Sequence, residues 1–119
     1  MGRFMELNVW KRAKDLAVFV YRMTGQAPFN RDFSLRDQIR RAAVSIPSNI
    51  AEGDELDTNK QAIKHFYIAK GSSAEVLTQA VVAVEIGYID DETFEFIQGE
   101  CSNISGMLMQ LIKARSKSI

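Results

Sequence analysis

The sequence predicts an all-α protein, an antiparallel up-down-up-down four-helix bundle, on three observations. Apolar residues recur at three- and four-residue spacing in four separate segments. No segment alternates apolar and polar residues as a half-buried strand would. The stretches between the segments are short, and short connections join antiparallel neighbours. The helices read as about 8–24, 35–53, 59–86 and 91–113, in a single domain 1–119 with a C-terminal tail 114–119.

The first helix opens at Asn8 as a cap and stops at Gly25. Val9, Ala13, Leu16, Val20 and Met23 form one apolar stripe; Trp10, Ala17 and Tyr21 form a second. A surface helix of a monomer needs only one such stripe. Gln26 to Phe33, with Pro28, reads as a loop. Ser34 with Asp37 then reads as a capping box, and Leu35, Ile39, Ala42, Ala43, Ile46 and Ile50 as the buried face of the second helix. Pro47 sits inside that run, where it removes a backbone donor and costs about 3 kcal/mol. The apolar spacing stays in phase across it, so one helix kinked at Pro47 is expected rather than two, ending near Gly53.

Thr58 with Gln61 is a further capping box, opening a third helix that stops near Gly87. Ile63, Phe66, Lys70, Ser73, Leu77, Ala80 and Val84 mark its stripe, widened by Ala62, Ala69, Val76 and Ala83. Asp90 caps the fourth helix, with Asp91 and Glu92 at the positive end of its dipole. Phe94, Ile97, Cys101, Ile104, Leu108 and Leu111 hold a heptad seam, and the basic tail beyond Lys113 is expected to fray.

Beside the buried face of the second helix runs a polar stripe of Arg41, Ser45, Ser48, Asn49 and Glu52. Small residues cluster there and on the third helix at Ala69, Gly71, Ser72, Ser73 and Ala74, so these stretches are expected to face one another. Ser45, Asn49 and Ser72 would then satisfy one another's hydrogen bonds, or the carbonyl that Pro47 leaves free. The stripe reads as a structural polar network or a subunit interface, with Arg41 and Glu52 paired to neighbouring helices; its competing reading is a binding groove.

Bulk composition excludes several classes. At 46% apolar, with two prolines and seven glycines, the chain suits a packed domain and not a disordered one. No apolar run reaches the ~18 residues of a membrane span. The N-terminal stretch lacks the apolar core of a signal peptide, and Glu6 stands where an N-myristoylation signal at Gly2 needs Ser or Thr. A single cysteine makes no internal disulfide, so a cytoplasmic protein is expected. Net charge is zero but segregated: nine Lys/Arg against four Asp/Glu over residues 1–41, three against eleven over 42–100, three against none thereafter. A neutral chain is a weak nucleic-acid binder by charge, although segregation leaves room for a basic face. Lys11, Lys14, Arg36 and Arg40 are the candidate nucleic-acid contacts; solvated helix faces explain them equally well.

Reactive chemistry is sparse. His65 is the only histidine, with Glu52 or Glu75 as a carboxylate partner if it were a base; its ordinary reading is a partly exposed helix residue. Cys101 falls on a core position. One Cys and one His cannot build a zinc site, the paired Glu-x-x-His motifs of di-iron bundles are absent, and no phosphate-cradling glycine loop is present. The expectation is a non-catalytic protein with no metal and no cofactor.

The segment Gln38–Gly53, QxRRAxxSIxxNIAEG, resembles the small bacterial four-helix-bundle proteins encoded in intervening sequences of 23S ribosomal RNA genes. Trp10 with Ala13 and Leu16, Tyr21, the Ala69–Gly71–Ser72 step with Glu75, and Gly87–Tyr88 extend the resemblance to about residues 7–112. It departs in the linker, which reads PFNRD then Ser34–Leu35, and in the acidic loop after Gly53. The resemblance, together with similarity to the accessory variability proteins of diversity-generating retroelements, implies a homopentameric ring. It also implies a scaffold or binding module whose partners are RNA or a nucleic-acid-processing protein. A protein-binding adaptor without nucleic-acid affinity is the alternative.

Overall fold

The structure, a computed structural model, describes residues 3–117. The reading of Gly2, and the last two residues of the expected tail, lie outside the described residues. Four helices carry the chain: α1 (Asn8–Thr24), α2 (Phe33–Glu55), α3 (Asn59–Glu85) and α4 (Asp91–Ser116), with 3-10 turns at Phe4–Glu6 and Phe29–Arg31. No strand forms among the described residues. The molecule measures 47 × 21 × 20 Å, the section of two helices by two.

The helices pack against one another as a four-helix bundle, α2 most extensively on α3 and α1 least on α4. Contacts run in opposite order along the α2–α3 pair: Ser45 meets Ser72, Asn49 meets His65, and Gly53 lies against Ala62 and Phe66. Between α1 and α2, Arg40 reaches Thr24 and Tyr21; between α3 and α4, Ser73 meets Cys101 and Asn59 meets Arg115. The core is aliphatic, with Leu16, Val20, Ile39, Ile46, Ile50, Val76, Ile97, Ile104 and Leu108 fully buried around Phe66.

Several element ends differ from the sequence reading. Asn8 is the first helical residue of α1 and Leu7 stands at its cap, with no side-chain bond. The cap of α2 is Asp32, whose Oδ1 accepts the Leu35 amide at 3.0 Å. The Ser34/Asp37 box is not used: Ser34 lies inside the helix, where its Oγ accepts from the Gln38 side-chain Nε2 at 3.0 Å. Asp32 is chosen because its second oxygen also accepts the Tyr88 hydroxyl at 3.0 Å, tying the α1–α2 linker to the α3–α4 turn. Gly53 does not end α2, which runs on to Glu55; the glycine is buried against α3. Thr58 and Asp90 cap α3 and α4 as read, accepting the amides of Gln61 at 3.2 Å and Thr93 at 2.8 Å. At the end of α3, Gly87 takes φ +83°; its amide bonds the Val84 carbonyl and that of Tyr88 bonds Ala83, a Schellman closure that favours glycine.

Two faces are rotated from expectation. In α3 the small residues Ala62, Ala69, Ser72, Val76 and Ala83 are buried, while Ile63, Lys70, Leu77 and Val84 are half-buried, because α3 faces both α2 and α4. In α4 the seam ends at Ile112 instead of Leu111, since a straight helix of 3.6 residues per turn drifts off a heptad. Phe29, read as loop, is 1% exposed and packs on Tyr88 with ring centroids 5.3 Å apart. The end of α4 is pinned: Arg115 bonds the Asp54 carboxylate at 2.8 Å and lies over the Phe66 ring.

A methyl group added at Gly53 would stand 2.8 Å from Phe66 Cε1 and 3.1 Å from the Ala62 carbonyl oxygen, whereas at Gly71 it would meet nothing. Gly53→Ala is therefore expected to lower urea-unfolding stability by about 1–3 kcal/mol, and Gly71→Ala to raise it by about 0.5–1 kcal/mol. The hydrogen bond to Asp32, then burial, raise the Tyr88 phenol above its ordinary value. A raised folded value means that this stabilisation is intact below the unfolded phenol's pKa of about 10 and is lost as pH climbs through the folded one. The melting-temperature gap between wild type and Tyr88→Phe should accordingly be constant at neutral pH and shrink in strong alkali.

Candidate functional site

The polar stripe of α2 divides in two. Ser45, Asn49 and Ser72 join in one chain: Ser72 Oγ donates to Ser45 Oγ at 2.8 Å, and the Asn49 amide donates to Ser45 Oγ at 3.0 Å and to the Ser45 carbonyl at 2.9 Å. The carbonyl that Pro47 deprives of its helical donor belongs to Ala43, four residues earlier, so Asn49 serves a different one. The chain continues to His65, whose Nδ1–H donates to Asn49 Oδ1 at 3.0 Å. Glu52 Oε2 lies 3.8 Å from the same nitrogen on a solvent-facing side chain. Arg41, Ser48 and Glu52 are exposed, and the expected pairing of Arg41 with a neighbouring helix is not made: it forms no ion pair among the described residues. Arg41 stands on the rim of a groove of about 560 Å³ between α2 and α3, shared with Gln38, Glu75 and Gln79.

Of the four candidate nucleic-acid contacts, Lys14 and Arg40 line adjoining hollows on the α1–α2 face, which Lys11 and Arg36 do not line. Lys11 is exposed, and Lys14 pairs with Asp15 at 2.6 Å. Arg36 pairs with Asp37 at 3.0 Å, donates to the Asn30 carbonyl and lies over the Phe33 ring. Arg40 donates to Thr24 Oγ1 at 2.7 Å and to the Tyr21 carbonyl at 3.2 Å, with its guanidinium 4.6 Å from the Tyr21 ring centre. It thus neutralises the negative end of α1, a structural duty that its place in a basic sequence run does not reveal. Thr24, fully buried, mediates this by donating to the Val20 carbonyl at 2.7 Å.

Elsewhere the chemistry is quiet. A groove of about 680 Å³ between α3 and α4 is lined by Ala74, Leu77, Ser102, Ser105 and Gly106, with Lys70 as its charged group. Burial holds the Cys101 thiol above its usual range, which disfavours the thiolate. Among the described residues no group of three or more His, Cys, Asp or Glu is placed to hold a metal, and no helix is long and apolar enough to cross a membrane.

The architecture places the chain among small all-α bundles, here with a polar seam between two closely packed helices. The chain belongs to the 23S rRNA-intervening sequence protein family, whose profile matches residues 5–110. A similar solved structure is the 1.70 Å crystal structure of a protein of unknown function from the S23 ribosomal protein family of Bacteroides thetaiotaomicron VPI-5482. It is 24% identical, covers 88% of this chain and 98% of its own, and superposes with a TM-score of 0.81, a likeness of fold. No curated protein matches the chain.

Asn49→Ala would leave Ser45 and His65 without a shared partner. It should cost about 1–3 kcal/mol in urea unfolding, against no more than about 0.5 kcal/mol for the exposed Ser48→Ala. The Cys101 thiol, 3% exposed, should react with a thiol reagent slowly in the native protein and immediately in denaturant.

Proposed function

We propose that the protein is a non-catalytic helical scaffold that associates with itself and acts by binding other macromolecules, protein first. The observation that supports this is the large apolar surface left outside the core. Val18, Tyr21 and Val44 stand exposed across α1 and α2, and Tyr67, Ile68, Val82 and Ile86 along α3. Scattered exposed apolar residues are ordinary, but side chains gathered on one face mark an interaction surface. A homopentamer is the stoichiometry that the family resemblance implies, and a cytoplasmic setting suits the single buried cysteine. No cofactor or metal enters this reading.

Nucleic acid is the second reading, favoured by the exposed cations of the N-terminal third. Lys11, Arg22, Arg31 and Arg41 form no ion pair among the described residues. Against it stands the engagement of Arg36 and Arg40 within the fold. Light scattering of the purified protein at micromolar concentration should give a discrete oligomer; a monodisperse monomer would overturn the scaffold reading. Fluorescence anisotropy with structured RNA, single-stranded RNA and duplex DNA separates the two partner classes. The protein-first reading expects no binding at physiological salt, whereas salt-sensitive micromolar affinity lost in Lys11→Glu/Arg41→Glu would install the nucleic-acid reading.

A further inference from the structure

The α1–α2 face carries a trough with an apolar floor and a basic rim. Two adjoining hollows, of about 430 and 390 Å³, share Tyr21 and Val44. Ala17, Val18 and Pro47 complete the floor, and Lys14, Arg22, Arg40 and Arg41 stand around it, with Asp37 the one carboxylate. Val18 is 41% exposed, Tyr21 46% and Val44 39%. Arg22 and Arg41 have no ion-pair partner inside the subunit among the described residues. An occupant matched to this surface offers an apolar or aromatic side chain flanked by carboxylates. A nucleic-acid base fits less well, because Arg40 already lies over the Tyr21 ring that would stack it.

The chain itself carries such a group. Phe96, on α4, is 48% exposed and is accompanied by Glu92 one turn before it and Glu95 beside it, both exposed. Phe96 packs on Phe19 at 4.7 Å, on the α1–α4 side of the bundle, whereas the trough lies on the α1–α2 side. A subunit's own Phe96 therefore cannot enter its own trough. The residue that follows Phe96 along the same outward stripe is Gly99, where an added Cβ would meet nothing within 4 Å. Its lack of a side chain leaves the surface beside the half-exposed ring open.

We infer that the α1–α2 trough of one subunit receives Phe96 of a second copy, with that copy's Glu92 and Glu95 set against Arg22 and Arg41. This rests on the self-association proposed above and assigns the surfaces that perform it. Trough and ridge are different patches, so the contact is heterologous: each subunit gives Phe96 to one neighbour and receives it from another, and the series ends when a ring closes.

Sedimentation velocity over a concentration series tests it. Phe96→Asp and Gly99→Arg each alter an exposed α4 position and should raise the dissociation concentration by about tenfold or more with unchanged helical circular dichroism. Gly71→Arg, equally open but on α3, should leave assembly as in wild type. The reversals Arg22→Glu/Arg41→Glu and Glu92→Arg/Glu95→Arg should each dissociate the oligomer, and the four changes combined in one chain should restore it. A wild-type oligomer that both Phe96→Asp and Gly99→Arg leave intact would overturn this assignment while self-association stands. A wild-type monomer would overturn both. Assembly lost equally in Gly71→Arg, or not restored by the fourfold swap, would also defeat the assignment.

Discussion

The close approach of α2 to α3 is the constraint on which the rest of the bundle depends. At Gly53 there is no room for a methyl group beside Phe66, and at Ser45 two hydroxyls meet at 2.8 Å across the seam. Ala42, Ala43, Ala62 and Ala69 are buried around these points. Small side chains bring the axes together, and closeness creates a demand for partners among the seam's polar groups, since an unsatisfied buried group costs about 1–3 kcal/mol. Serine and asparagine meet that demand with short side chains that larger residues could not replace without parting the helices. Pro47, buried within α2, lines the α1–α2 trough.

With that pair fixed, the outer helices are tied on by polar clasps near their ends. Arg40 holds the end of α1, and Arg12 makes a two-point contact with Glu100 of α4 at 3.0 and 3.1 Å. Asp32 joins the cap of α2 to Tyr88, and Arg115 draws the end of α4 onto Asp54, whose side chain is only 8% exposed. Two of these contacts, Arg12–Glu100 and Arg115–Asp54, pair cations from the basic ends of the sequence with carboxylates of its acidic middle. What remains is cationic around the α1–α2 trough and anionic at the start of α4, an arrangement that opposes like faces and favours unlike ones.

The four helices were legible because their apolar periodicity is long and their caps at Thr58 and Asp90 are local signals. The start of α2 was not, because Ser34 and Asp32 are both competent caps and the choice falls to Asp32 through Tyr88, 56 residues away. Gly53 resembled a helix stop, a common use of glycine, yet it serves packing; nothing local distinguishes the two. Ser45, Asn49 and Ser72 were legible as a set from small-residue clustering on two helices. His65 was readable only as a lone histidine, since its bond to Asn49 depends on the register of α3 against α2. Likewise the duty of Arg40 at the end of α1 depends on which helix lies beside it.

The Ser45–Asn49–His65 chain has the residue types of a hydrolytic site, and under the scaffold proposed above its geometry sets the register of the helices. The histidine proton at Nδ1 is given to an amide oxygen, while the nearest carboxylate oxygen, of Glu52, is 3.8 Å away and faces solvent. Ser45 Oγ accepts from Asn49 and lies 2.8 Å from Ser72 Oγ, while the imidazole bonds Asn49. A nucleophile needs a base drawing its proton away. Held as it is, the network positions each partner at one spacing along the seam. A slip of α3 by one turn along α2 would leave several of these groups unsatisfied at once. The seam thus rewards a single alignment of α2 and α3. Through α2 that alignment places the α1–α2 trough, and through α3 it places the outward face of α4, so both candidate surfaces inherit their positions from the same hydrogen-bonded core.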